Sequence, residues 1–294
     1  MLTRFRVAAA ALLASAALSG CGNTVESTAA PSPTAAKDKR HQFEAVKADC
    51  MKQNGFKYVP FVPEQVHIEA DKKRVQGDYQ AMLKYRQQYG FGVFAEHVYP
   101  EHFNAKGGGP DGNPNGKIQS TLSKAQMQAY SKALNACQVK GYKQLLGLDV
   151  KSENDYYTQF NKASRRAEKA ELNSDPELVE LATAMATCLK GKGNVISDTT
   201  PIAMSGRGFD EFLAQQDKIG REQNPDVPDV APPKKEGEVM MQYWPTLTPE
   251  QAKPYLNKEI KAALDDLECG KAFYPAYLPK SLAVQRKVEE QYGL

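Results

Sequence analysis

Cys50-Met51-Lys52-Gln53-Asn54-Gly55 and Cys188-Leu189-Lys190-Gly191-Lys192-Gly193 follow one local plan. Each has a cysteine, an unbranched or γ-branched apolar residue, a lysine and a closing glycine. Each also ends an amphipathic pattern. Before the first glycine, Phe43, Val46, Cys50 and Met51 recur at i, i+3, i+7 and i+8. Before the second, Leu178, Leu181, Ala182, Met185, Cys188 and Leu189 recur at i, i+3, i+4, i+7, i+10 and i+11. This period places them on one face of an α-helix, with the cysteine inward in the last turns. The glycine suits the left-handed residue that ends a helix.

A second pair of segments also matches. Leu122-Ser123-x-x-Gln126-x-x-x-Tyr130 echoes Leu247-Thr248-x-x-Gln251-x-x-x-Tyr255. Ser123 and Thr248 are natural N-caps, and Pro249 fits the first helical position. Cys137 follows Tyr130 by seven residues and Cys269 follows Tyr255 by fourteen, about two and four helical turns. Each cysteine therefore stays near the face of its tyrosine. In the second copy this face is not the Ile260/Leu264/Leu267 stripe, so that helix is expected to be covered on two sides.

Helical patterns recur over 38–54, 68–88, 123–145, 152–172, 176–190, 207–222, 249–270 and 279–291. Strand signals are weak and confined to 57–62 and 92–98. The expected fold is all-α, with few or no short strands. Two related helical units, 38–150 and 175–294, are each expected to be closed by a disulfide. The segment 151–174 reads as a solvated connecting helix, because Arg165, Arg166, Glu168, Lys169 and Glu171 crowd it with charge. Loops are expected at 100–117, rich in Gly, Asn and Pro, and at 224–247, which carries Pro225, Pro228, Pro232 and Pro233.

The N-terminus reads as an address. Arg4 and Arg6 precede the apolar run Val7–Leu18. That run is too short to span a bilayer as a permanent helix and has the layout of a secretory signal over residues 1–20. Leu18-Ser19-Gly20-Cys21 then resembles a bacterial lipobox. The resemblance implies cleavage between Gly20 and Cys21, a diacylglyceryl group on the Cys21 sulfur, and an amine open to acylation, for example by palmitate. Two or three chains on one residue make a durable anchor, where one chain holds only marginally. Residues 21–37 read as the lipidated tether. The expected location is the cell membrane, lipid-anchored on the extracytoplasmic face.

Outside the cytoplasm thiols oxidise. Of the five cysteines, four remain once Cys21 is lipidated, and four allow three pairings. The two echoes favour Cys50–Cys137 and Cys188–Cys269. A cross-unit pairing and free buried thiols stay as alternatives.

Tyr89-Gly90-Phe91-Gly92-Val93, the Asn/Pro-rich loop after it, and Leu122-Ser123 through Gln126, Tyr130 and Ala133-Leu134 resemble a pattern in secreted lipoproteins of high-GC Gram-positive bacteria. Cys50-Met51, Gly55-Phe56 and Tyr58 belong to the same resemblance. It covers about 42–140 and, more loosely, 180–272. Those proteins are of unknown function as a group. The resemblance implies a compartment and a helical fold and brings no catalytic residues.

Charge narrows the function classes. The 294 residues hold 38 Lys+Arg and 35 Asp+Glu, a formal charge of +3. Loss of residues 1–20 removes Arg4 and Arg6 and leaves +1. Bulk charge therefore gives no argument for nucleic acid or for an anionic membrane surface as partner. The body, 41% hydrophobic and 25% charged overall, has a globular composition.

Enzyme templates fail: there is no Gly-x-Ser-x-Gly elbow, Ser-x-x-Lys, His-Glu-x-x-His or Walker loop. Met204-Ser205-Gly206-Arg207-Gly208 has the wrong order for an elbow, and Gly191-x-Gly193 follows a helix where a dinucleotide motif needs a strand. Glu96-His97-Val98-Tyr99-Pro100-Glu101-His102 offers His97, Glu101 and His102 as candidate metal ligands, since imidazole and carboxylate suit Zn²⁺. Pro100 breaks any helix face they share, so a solvated loop is the plainer reading. Asp111-Gly112-Asn113-Pro114-Asn115-Gly116 resembles the start of an EF-hand loop. Leu122 stands where the bidentate Glu belongs, so an Asn/Gly turn cluster is the better account. Tyr243-Trp244-Pro245 and Tyr274-Pro275-Ala276-Tyr277 are candidate glycan contacts or core lids.

The expected function is a non-catalytic binding or envelope-interaction lipoprotein, with no catalytic residue and no cofactor. Its expected partners are membrane lipid through acylated Cys21 and an unidentified envelope protein or ligand, with no nucleic acid. A ligand-binding lipoprotein that delivers solute or metal to a transporter is the alternative. An envelope hydrolase ranks last. A cleft with convergent polar groups would favour the alternative, a buried titratable group with a shifted pKa the hydrolase, and an exposed apolar patch the first reading.

Overall fold

Twelve α-helices account for all regular structure among the residues that the computed structural model describes, 33–63, 69–103, 112–228 and 241–293. The signal, Cys21, Asp111 and Pro232-Pro233 lie outside them.

The first lobe is built on α1 (Pro33–Gln53) and α7 (Lys124–Leu146), packed along each other. Cys50, Met51, Tyr130, Ala133 and Cys137 form its buried centre, with Phe56, Tyr58, Leu122 and Leu134 around them. Cys50 and Cys137 are bonded, with Cα atoms 5.5 Å apart across 87 residues of sequence. The second lobe holds Cys188 of α9 (Pro176–Gly191) and Cys269 of α11 (Pro249–Cys269), bonded across 81 residues, again with Cα atoms 5.5 Å apart. In the chain-entropy account, loops of this size are worth about 4–5 kcal/mol each.

Both echoes hold at the level of single hydrogen bonds. The Gly55 amide donates to Lys52 O (3.0 Å) and Phe56 to Met51 O (2.9 Å); Gly193 donates to Lys190 O (2.9 Å) and Asn194 to Leu189 O (3.0 Å). Both glycines lie at positive φ, 79° and 86°. Ser123 with Gln126, and Thr248 with Gln251, each form a complete capping box.

The chain between Cys50 and Cys137 does not stay in the first lobe. After α2 (Glu69–Val75), α3 (Tyr79–Tyr89) and α4 (Ala95–Val98) pack against α11 of the second. Then α5 (Pro100–Phe103) and α6 (Pro114–Ser120) lead back to α7. α10 (Pro201–Glu222) and α12 (Phe273–Tyr292) complete the second lobe against α9. α8 (Glu153–Glu171) joins the two. Its outer face is charged as expected, but it is more than a solvated connector. Tyr156 is fully buried, stacked on Tyr142 of α7 at 4.2 Å and edge-on to Tyr292 of α12 at 6.0 Å.

Other expectations change as well: the 100–117 stretch holds α5 and α6, and the 279–291 helix begins earlier, at Phe273. The 68–88 helix is broken, because Gly77 (φ 87°) lies against the α12 backbone, where a Cβ would stand 2.8 Å from Pro275 Cα. The Asp78 side chain then caps α3 by accepting from the Ala81 amide (2.7 Å). α10 starts at Pro201, through Gly206 and Gly208, because Gly208 gives room for the Phe91 ring. Neither weak strand signal becomes a strand. Residues 92–98 form a turn and α4. Residues 57–62 are tied by side chains: Val59 N donates to Asn115 Oδ1 and Val59 O accepts from Asn115 Nδ2, each at 2.8 Å, while Phe61 N donates to Glu44 Oε2 at 3.1 Å.

Candidate functional site

Three places bring chemistry-bearing side chains together. The first centres on α11, whose buried face runs Ala252, Leu256, Glu259, Ala263, Asp266 and Leu267. Ile260 and Leu264 are only partly buried. The two acids are the residues that sequence reading missed, because Glu and Asp ordinarily mark an exposed face. Their 4-3-4-3 spacing among small and apolar residues is the signal that could have found them.

Glu259 is fully buried and accepts from the Val93 and Phe94 amides, both at 2.8 Å. Burial pushes its carboxyl above the ordinary value, opposed by the backbone amides of Phe94, Val93, Gly92 and Phe91. This is the job of Tyr89-Gly90-Phe91-Gly92-Val93. Gly90 (φ 60°, ψ −129°) turns the chain around the carboxylate, where a Cβ would stand 2.8 Å from Glu259 Cγ. Beside it, Gln216 of α10 donates to Val93 O (3.2 Å) and to His97 Nε2 (3.1 Å). That bond assigns the ring proton to Nδ1, and burial lowers the His97 pKa. Burial also raises the Glu96 carboxyl.

Asp266 accepts from Arg86 (2.5 Å) and from the Tyr274 hydroxyl (2.5 Å), while Arg86 also donates to Ala263 O (2.8 Å). Its Oδ2 has no hydrogen-bond partner, with Arg207 Nη2 3.8 Å away. This centre holds shifted titratable groups, but it spends their atoms on backbone amides, an amide side chain and an ion pair. Its chemistry is that of fixing residues 86–97 onto α10 and α11.

The metal candidates diverge. His97 faces α10, His102 stacks on Tyr89 of α3 (4.3 Å, 9°), and Glu101 is exposed. Among the described residues no three His, Cys, Asp or Glu side chains gather to hold a metal ion. In the EF-hand-like segment, Asn113 caps α6 by accepting from Asn115 N (3.0 Å), and Asn115 is buried on Val59. The Asn113 oxygen is committed to the cap and the Asn115 oxygen to Val59 N, and Pro114 begins a helix.

The second place is the stem of the 224–247 loop. Tyr274 and Tyr277 are core residues, 3% and 6% exposed, whereas Trp244 is 57% and Met241 71% exposed. Arg221 ties the two stems together, donating to Pro228 O (3.2 Å) and Met241 O (3.4 Å) and pairing with Asp217 (2.6 Å). Tyr243 N donates to Asp217 Oδ1 (2.8 Å), and its ring lies 4.6 Å from the Arg221 guanidinium.

The third is a cleft of about 510 Å³ in the first lobe, at the junction of the α1 C-cap, α6 and the start of α7. Gly55 turns the chain so that Phe56 sits edge-on to Tyr130 at 5.4 Å. The Asn113 cap and Asn115 clamp fix α6, which brings Lys117 and Ile118 to the rim. Lys57, Thr121, Leu122 and Gln126 complete the wall. Tyr130 lines the cleft as well, and its hydroxyl is buried without a hydrogen-bond partner.

No known family model, curated protein or solved structure matches the chain. No described helix is long and apolar enough to cross a membrane.

Proposed function

We propose that this chain is a membrane-anchored extracytoplasmic lipoprotein whose helical body is a non-catalytic binding protein. Two features support the location. The lipobox-like Leu18-Ser19-Gly20-Cys21 ends a secretory signal, and the four other cysteines pair within the body. Cys21 is left outside both bridges, as a lipidation site requires, and the bridges suit an oxidising compartment.

The observation that carries the binding role is the first-lobe cleft, a concave surface lined by apolar side chains and a few polar groups. A cleft of this kind also raises the ligand-binding, solute-delivering alternative, which stands as the second reading. The α10/α11 centre supports a positioning role for Glu259 and His97. From Cys21 to Pro33 the chain reaches at most ~40 Å when fully extended. The cleft follows the far end of α1.

Fractionation of cells that make the chain tests the reading. It should sediment with membranes, resist high salt and come off in detergent, while Cys21→Ala should lose the detergent-sensitive attachment. A soluble, reduced chain in the cytosolic fraction would overturn the proposal.

A further inference from the structure

We infer that the first-lobe cleft binds a small amphipathic anion, a single carboxylate or phosphate headgroup on an apolar body. The inference rests on the binding-protein reading and names the class of ligand.

Three observations carry it. The ammonium groups of Lys57 and Lys117 make no ion pair or hydrogen bond with the described residues, and both line the cleft. In a body of near-neutral charge they leave a local positive excess that a headgroup would balance. Beside them the half-buried Phe56, Ile118 and Leu122 offer an apolar wall, backed by the buried Tyr130 ring. The repeated plan does not require these groups. At the matching positions of the second lobe stand Asn194 and Val195 in place of Phe56 and Lys57, and Val195 is 93% exposed. There Tyr255, the counterpart of Tyr130, lies stacked under Phe94 at 4.9 Å. The first lobe has added an aromatic ring and a cation where the second keeps only the cap.

The test is calorimetric titration of the purified full chain. The chain is held in phosphatidylcholine nanodiscs if Cys21 carries lipid, with empty discs as blank, and in plain buffer if it does not. The cleft and the anchor can therefore fail separately. The probes are octanoate and octyl phosphate, with 1-octanol and inorganic phosphate as half-ligands. Octanoate or octyl phosphate should bind at one site, and the tighter of the two identifies the headgroup. Exposed charge pairs are each worth a factor of a few, so Lys57→Gln with Lys117→Gln should weaken binding roughly tenfold. Ile118→Ser should weaken the amphiphiles and leave inorganic phosphate unchanged. Both lysines are exposed, so the double variant should keep its helical circular dichroism. No binding of either amphiphile, 1-octanol binding as tightly as octanoate, or an unchanged double variant would each overturn the inference.

Discussion

At Gly90 the backbone takes φ 60° and ψ −129°, and the Glu259 carboxylate fills the space where a side chain would begin. Gly90→Ala therefore meets both a glycine-only conformation and a displaced buried acid, and should cost ~3 kcal/mol in urea melts. Gly147→Ala is the control. Gly147 also has positive φ (66°) but nothing within 4 Å of its Cβ site, so its loss should be nearer ~1 kcal/mol. Equal losses would mean that Glu259 does not set the requirement. His97 carries the second prediction at this scale. Its pKa is lowered by burial from an ordinary 6.5. Its stabilising contribution is therefore present above 6.5 and is lost as pH falls through the lowered folded value, because the unfolded chain takes up its proton first. Glu96, raised by burial, acts in the opposite sense at lower pH. His97→Gln should lose less stability than the parent chain between about pH 7.5 and about pH 5.5. Identical pH slopes would place His97 outside the account. At this scale the sequence was legible in its caps and cysteines. It was opaque in Glu259 and Asp266, because a buried acid is recognised by its partners, and Val93, Phe94 and Arg86 lie 166, 165 and 180 residues away in the chain.

Helix α10 shows how an element is set by what packs on it. Met204, Gly208, Phe212, Gln216 and Gly220 form its buried stripe. The glycines read as breakers in isolation, yet Gly208 admits Phe91 and Gly220 admits the Tyr243 and Pro245 backbone. Tertiary contact overrides propensity here. A Cβ at Gly220 would overlap the Tyr243 carbonyl oxygen, so Gly220→Ala should lift the 241–245 segment off the helix. Because Trp244 is the single tryptophan, its fluorescence reports this directly. The expected result is lower anisotropy and faster proteolysis near Met241, with helical circular dichroism retained. Unchanged anisotropy would show that Gly220 does not hold the segment. The long helices were legible from their period. Their boundaries at Gly77, Pro201 and Phe273 were not, since each depends on a neighbour from a distant part of the chain.

Across the whole molecule the two lobes are tied in two ways: Glu259 and Asp266 hold the 86–94 segment on α11, and the Tyr142–Tyr156–Tyr292 cluster bridges α7, α8 and α12. Each lobe is also closed by its own disulfide. The two-unit repeat was legible from the echoed Cys-x₄-Gly and capping segments. The crossing of α3 and α4 into the second lobe was not, because nothing in a local period names a distant partner. That crossing makes unfolding cooperative. Replacing both members of either cystine by Ser should cost about 4–5 kcal/mol and still give one denaturant transition. Two separated transitions would mean that the lobes fold independently. The functional reading turns on the amino terminus, and mass spectrometry of the chain recovered from cell membranes tests it most directly. The N-terminal peptide should begin at Cys21 and carry a diacylglyceryl group, with Cys50–Cys137 and Cys188–Cys269 recovered as linked peptides without reductant. A peptide in which an unmodified Cys21 is still joined to Gly20 would contradict the account.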